Sequence, residues 1–292
     1  MHFNMLTGMK LLLPVVLLAI ALEIGWILLI QRRSYPWREF FATIGVYTLH
    51  LPAHLLTPLI VGPVGLLLYA HRITTIPLNS IWGLALLFVA VDFAYYWMHR
   101  NSHEIRWMWA SHIVHHTSEH IHLSSAIRLG ATELLSGNWL FYLPLALLGF
   151  NPFAVSGMLA LNLFYQLWLH TDLVDRLGPL EWILNTPANH RVHHASNVEY
   201  LDRNYGGILI VWDRLFGTFI SEDPKKAIKY GVVNHEPSTN PLTITFHEWI
   251  AMINDAYRAR SWHGRLTMLF GRPGATETDP MPKTKHQVPM HG

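Results

Sequence analysis

The 292-residue chain contains no cysteine, and that absence removes several chemistries at once. Disulfides, cysteine-type zinc sites, thiol nucleophiles, cysteine-ligated haem and iron–sulfur clusters are all excluded. Charge is scarce as well: 14% of residues are Asp, Glu, Lys or Arg, where a soluble domain carries about 25%. Such a surface cannot face water on all sides, so lipid must be part of the solvent. The net charge of +2 leaves no broad basic footprint, which argues against a nucleic-acid partner. What is plentiful is apolar residues, 51% of the chain, and histidine, with 20 residues. Any metal must then be held by nitrogen or oxygen, and histidine is the obvious donor.

The apolar residues come in runs. Residues 11–30, "LLLPVVLLAIALEIGWILLI", are long enough to span a bilayer as a helix of about 20 residues. The short n-region and the missing small-residue cleavage site favour an anchor over a signal peptide. Glu23 lies inside this run and is expected to face other helices. "QRRSYPWR" follows, and its three arginines set that end cytoplasmic. A second stretch, Phe40 to about Ala70, is broken by Pro52, Pro58 and Pro63 and leads to a far-side loop with His71 and Arg72. A third, about Ser80 to Met98, returns to the cytoplasm and delivers His99 there. Two further spans, about Leu134–Leu148 and Pro152–Leu169, flank a tight "GFNP" turn. "YGGILIVWDRLFGTFI" is interrupted by Asp213 and Arg214 and reads as an interfacial helix.

The expected fold is an all-α membrane bundle of four to five spans under a cytosolic helical cap. Its divisions are N-terminal transmembrane helices (1–98), a first histidine segment (99–133), a transmembrane hairpin (134–170), a second cap and interfacial region (171–272), and a disordered tail (273–292). The expected setting is a multi-pass protein of a bacterial inner membrane, in preference to the endoplasmic reticulum, with the histidine clusters and the C-terminus cytoplasmic.

Three histidine clusters stand just beyond the cytoplasmic ends of these runs: His99/His103, His112/His115/His116 and His190/His193/His194. Spacings of three and four residues put imidazoles on one helix face, able to converge on a metal. "NTPANHRVHH" reads as a helix start, with Thr186 as N-cap and Pro187 in the first turn. At this histidine frequency about 0.1 chance match to H-x2-HH is expected; two are present. Metal binding is the better reading. Eight ligands exceed what one tetrahedral zinc uses and suit two ions with open positions. Imidazole alone does not name the metal, but a lipid-bounded site points to iron, since breaking an unactivated C–H bond requires a redox metal and dioxygen. His170, at the same depth, is a further candidate ligand, as is His122, with His120 beside it. Asp92 and Glu104 are candidates to support the ligands. His50 and His54 read as a polar contact inside the bundle; His235, His247, His263, His286 and His291 read as surface residues.

"DFAYYWMHRNSHE", "MWASHIVHHTSE", "LNTPANHRVHHASN", "DRNYGG" and "WDRLFGTF" resemble the fatty acid hydroxylase/sterol desaturase superfamily of membrane di-iron oxygenases. Within it, "QLWLHTDLVDRLGPLEWILNTPANHRVHH" and "KYGVVNHEPSTNPL" are similar to the alkylglycerol monooxygenase branch and its bacterial relatives. The resemblance implies four core membrane helices and two iron ions held by the eight motif histidines and His170. Where His122 stands, such relatives usually carry Asn. Tetrahydrobiopterin as reductant enters on resemblance alone; no pterin pocket can be read from the residues. No His-Pro-Gly-Gly cytochrome b5 signature is present, so electrons are expected from a separate donor.

The reading is an oxidoreductase, an O2-dependent monooxygenase hydroxylating an alkyl or acyl chain of a membrane lipid, with an ether lipid among the substrates open to it. A desaturase-type oxidase of lipid, sterol or carotenoid would use the same cluster. A metal transporter is the rival of another class, disfavoured because transport sites lie near the bilayer midplane. A zinc hydrolase lacks its H-E-x-x-H pattern here. The substrate is expected to reach the metals along an apolar passage lined by Phe93, Tyr95, Tyr96 and Trp97, and by Phe164, Tyr165, Trp168 and Leu169.

Overall fold

Within hydrocarbon every backbone N–H and C=O must be satisfied inside the segment, and helices achieve that. The computed structural model describes residues 5–279, and its apolar runs are helical. Helix α1 (Met5–Gly25) continues into a wider π-turn, Trp26–Ile30; α2 covers Trp37–Ala70 and α3 Ile81–Glu104. Among the described residues, three helices are long and apolar enough to cross a membrane. Their outward side chains, such as Leu18, Leu22, Leu55, Leu59 and Trp82, are exposed. Apolar residues on every side of a helix mark lipid as the solvent of the outer faces.

Two expectations fail here in instructive ways. The prolines do not break α2: the helix runs through Pro52, Pro58 and Pro63 for 34 residues. Each proline removes one donor, a loss that membrane helices tolerate. The fourth span, by contrast, is not one helix. It is divided into α5 (Glu133–Ser136), a 3-10 turn (Asn138–Tyr142) and α6 (Leu143–Leu148). Gly137 causes the break, adopting φ 82° in the left-handed region that suits glycine. Helix α7 (Pro152–Leu167) follows the turn at Gly149 and Phe150, with the Asn151 side chain capping it through Phe153 N. The 71–80 loop meets this turn, Ile73 N donating to Leu147 O at 2.8 Å.

Helix α4 (Arg106–His116) begins after Ile105 takes an extended conformation that ends α3. It buries Met108, Ala110, Ile113 and Val114. Ala42 and Val46 of α2 pack against its Ile113 and Val114. Helix α8 is Pro187–His193, with Thr186 as its N-cap and Pro187 in its first turn, as its sequence requires. Helix α9 is only Val211–Leu215, so the stretch read as an interfacial helix is mostly irregular. Its charge explains why. Asp213 is fully buried and accepts from Tyr205 N, Gly206 N and Thr218 Oγ1 at 2.7–2.8 Å, turning the chain back on itself. Burial lifts its pKa to about 6 against the pull of those bonds. Helices α10 (Pro241–Arg258) and α11 (Trp262–Phe270) cover α4, with Trp249 and Met252 packed on Ala110. Arg106 ties α4 to α10 through Glu248 at 2.7 Å and Asp255 at 2.8 Å. Of the tail expected to be disordered, residues 280–292 lie outside the described residues.

Candidate metal centre

Four segments bring histidines to one place. α3 carries His99 and His103 on its last turns, α4 carries His112, His115 and His116, and His170 stands three residues past the end of α7. His190 and His193 lie in α8, and His194 caps it. The nine rings form two adjoining groups: His99, His103, His112, His116 and His193, and then His115, His170, His190 and His194. Within each group the ligand nitrogens lie within 4.8 Å of one another. The groups touch, His116 stacking on His194 at 4.4 Å between ring centroids.

Backbone carbonyls orient the rings. His99 Nδ1 donates to Tyr205 O at 2.8 Å, His170 Nδ1 to Gln166 O at 2.8 Å, and His193 Nδ1 to Arg203 O at 3.0 Å. A carbonyl can only accept, so the proton sits on Nδ1 and the lone pair on Nε2 faces inward. His170 Nε2 is then 3.0 Å from both His115 Nε2 and His190 Nε2. One lone pair cannot take two protons, whereas a shared cation satisfies all three nitrogens. Ligand nitrogens about 2.1 Å from one ion and at right angles stand about 3.0 Å apart, the spacing seen here. His103 Nε2 and His193 Nε2 are buried without a hydrogen-bond partner among the described residues, a costly state unless something else binds them. Burial, the largest cause, and the neighbouring imidazoles hold His112, His115, His116, His190, His193 and His194 well below the usual histidine pKa. Burial takes His170 down to about 4. Neutral imidazoles are the ligating form, so the residues fit metal ions.

Not every sequence candidate joins this cluster. His122 belongs to neither group; it is buried and stacks on Tyr35 at 5.0 Å. His120 bonds Glu39 at 2.8 Å. His50 donates to Gly130 O, apart from both groups. His235 and His247, read as separate surface residues, stack on each other at 4.1 Å. Asp92 does not bond a ligand. Its oxygens accept from Asn162 Nδ2, Ile208 N, Leu209 N and Trp212 Nε1 at 2.7–3.2 Å, joining α3, α7 and the 208–212 turn. Glu104 pairs with Arg100 at 3.0 Å and Arg272 at 3.7 Å. Of the residues expected to line a passage, Tyr95, Tyr96 and Leu169 are buried, while Trp97, Phe164, Tyr165 and Trp168 are half-buried and Phe93 is exposed. Tyr95 donates to Gln166 Oε1, Tyr96 stacks on Phe216, and Tyr165 donates to Asn185 O.

Three residues were missed. Tyr205 is fully buried, its ring 5.3 Å from that of His103 and its carbonyl on His99. Gly207 sits where an added Cβ would come 2.7 Å from the Asn162 side chain, so the "YGG" signal marks a close approach of the loop to α7. Thr171, next to His170, donates to Glu23 Oε1, and Leu123 N donates to Glu23 Oε2, both at 2.7 Å. The carboxylate in the first apolar run therefore faces inward, and it clamps two loops beside the centre.

A helical chain with histidines gathered at the ends of apolar helices is the architecture of a membrane metalloprotein. The chain carries a match to the fatty acid hydroxylase family model over residues 84–218. It is 39% identical to human alkylglycerol monooxygenase over 220 residues, 75% of this chain and 48% of that protein. The zebrafish (Danio rerio) alkylglycerol monooxygenase is 42% identical over 205 residues, 70% of this chain and 45% of its own. An ornithine lipid hydroxylase of Rhizobium tropici is 34% identical over 131 residues, 45% of this chain and 40% of its own. The chain thus spans about half the length of the alkylglycerol monooxygenases it matches. No solved structure matches it.

Proposed function

We propose that the chain is an O2-dependent lipid hydroxylase acting on an alkyl or acyl chain of a membrane lipid, with ether lipids the favoured class. The carrying observation is the pair of adjoining groups of buried, neutral imidazoles at the ends of apolar helices. The likeness to alkylglycerol monooxygenases and an ornithine lipid hydroxylase supports a lipid substrate. His99, His103, His112, His116 and His193 would hold one iron, and His115, His170, His190 and His194 the other. Two irons held there would supply the redox chemistry that hydroxylation of an unactivated C–H bond requires. The protein's part is to fix the ring orientations through Tyr205 O, Gln166 O and Arg203 O, and to exclude water by packing. Electrons come from a separate donor. The clusters face the cytoplasm, on the side of "QRRSYPWR".

The test pairs anaerobic metal analysis of purified protein with lipidomics of cells expressing wild type or His112→Ala. The expected result is about two irons per chain and an oxidised lipid product that the variant lacks. Metal uptake into liposomes without lipid oxidation would favour a transporter instead.

A further inference from the structure

Helices α10 and α11 carry their polarity the wrong way round for a surface in water. Asn240 and Pro241 start α10, the Asn240 side chain accepting from Leu242 N at 2.9 Å. Ser261 caps α11 through Gly264 N at 2.9 Å. The carboxylates of α10 point inward, Glu248 and Asp255 both reaching Arg106 on α4. Trp249 and Met252 pack on Ala110 from the same side. The outward face is apolar. Leu242, Phe246, Ile250, Ile253 and Tyr257 are exposed and recur every three or four residues, which sets them in one stripe about 22 Å long. On α11, Trp262, Leu266 and Phe270 repeat the pattern.

A helix that covers a cap in water buries its apolar side and shows its charges. Single exposed apolar residues are ordinary, whereas a contiguous patch marks a site of contact. This stripe continues a lipid-facing surface. Helix α10 begins against α2, where a Cβ added at Gly45 would collide with Pro241, and Ile244 packs on Ala42 and Val46. At that level α2 exposes Phe41 and Ile44, part of a helix long and apolar enough to cross a membrane. Positive charge flanks the stripe. Residues 256–276 hold four arginines and no Asp or Glu. Of these, Arg258, Arg260 and Arg265 are exposed and have no ion pair among the described residues. Arg265 lies over the Trp262 ring at 5.1 Å, a pairing that sets an aromatic at the interface and a guanidinium towards the phosphates.

We propose that the outward face of α10 and α11 is an in-plane membrane anchor, its apolar stripe set in the bilayer interface and its arginines on the phosphates of anionic lipid. A two-fold contact with a second copy of the chain would bring these arginines face to face; an anionic leaflet engages stripe and charge together. The interfacial role expected of residues 205–220 thus passes to α10, since Asp213 folds that segment inward. Because α10 grips α4 through Arg106, lipid on its outer face steadies the helix that carries His112, His115 and His116. The anchor stands whether or not the metals oxidise lipid.

The test uses the full chain, which has no native cysteine, in nanodiscs of phosphatidylcholine with and without phosphatidylglycerol. Ile250→Cys, Ile253→Cys and Leu266→Cys place spin labels on the stripe, and Asn254→Cys places one on the polar flank of α10. All four positions are exposed, so no label displaces the core. Collisions with dissolved oxygen report lipid, and collisions with a water-soluble nickel chelate report water. Labels at 250, 253 and 266 should meet oxygen and lose the nickel collisions that the label at 254 keeps. Phosphatidylglycerol should draw the label at 266 deeper, and the combined Arg258→Gln, Arg260→Gln and Arg265→Gln variant should lose that shift. Nickel reaching all four sites would leave the face in water and overturn the anchor. Exclusion of both probes from the stripe would show a covering protein and overturn it equally. A depth at 266 indifferent to phosphatidylglycerol would refute the role given to the arginines.

Discussion

The two histidine groups are built in different ways. Four of the five rings in the larger group come from residues 99–116, a single helix–kink–helix stretch, with only His193 arriving from afar. The smaller group takes His115 from α4, His170 from the end of α7, and His190 and His194 from α8. One half is local; the other exists only when three distant segments have docked. The larger group should therefore keep its shape under perturbation, while the smaller reports on the docking of α4, α7 and α8.

Single ligand substitutions give the largest effect and test whether the halves are separable. His103→Ala and His190→Ala should each reduce turnover roughly a thousandfold, since such ligands act as a unit. Metal analysis should find about one ion retained in each variant. Loss of both ions from both variants would make the groups one centre and end the comparison.

Asp92 comes next. Asp92→Ala leaves the donors of Asn162, Ile208, Leu209 and Trp212 without their acceptor, a loss of about 3 kcal/mol or more. Thermal unfolding in detergent measures it. Because Tyr205, whose carbonyl orients His99, lies just before that turn, this variant should loosen the larger group too. Glu23→Leu should act on one side only. It releases Thr171 beside His170 and Leu123 beside His122, so metal occupancy of the smaller group should fall while the larger stays filled. Equal loss from both, by metal analysis, would show that α1 supports the cap as a whole.

Acid should unsettle the metal-free protein. His170 titrates at about 4 when folded, whereas an unfolded imidazole takes its proton near 6.5. The folded value is the lower one, so stability is full above about 6.5 and falls as pH drops towards 4. Melting temperatures of metal-free protein between pH 7.5 and 5 check this; a flat profile would contradict the burial. Thr186→Ala should be the mildest, removing the cap that accepts from Asn189 N for about 1 kcal/mol.

The sequence made the local half easy to read. H-x3-H and H-x2-HH are helix-face spacings, and Thr186–Pro187 is a helix start, so the clusters and their elements were visible without coordinates. The inward face of Glu23 was legible because a carboxylate has no place against lipid. What stayed hidden depends on backbone and distance. A carbonyl such as Tyr205 O has no residue signature, so the groups that orient the rings could not be named. The partners of Asp92 lie 70 to 120 residues away. Pro52, Pro58 and Pro63 looked like breaks and were not, while Gly137, an unremarked glycine, divides the fourth apolar stretch. Proline's cost depends on what surrounds it, and a left-handed turn depends on neighbours that no local pattern reveals.

The continuity of α2 has a mechanical consequence. Its 34 residues measure about 51 Å along the axis, against about 30 Å of hydrocarbon. Even leaning 40°, near the limit of observed tilts, such a helix rises about 39 Å. Its surplus must stand among the head groups, and the first turns, with Trp37 and Glu39, are the end that meets residues 118–120. A thinner bilayer would push that end further out and a thicker one would draw it in, so membrane thickness becomes a control on the height of Glu39 and of the loop hydrogen-bonded to it.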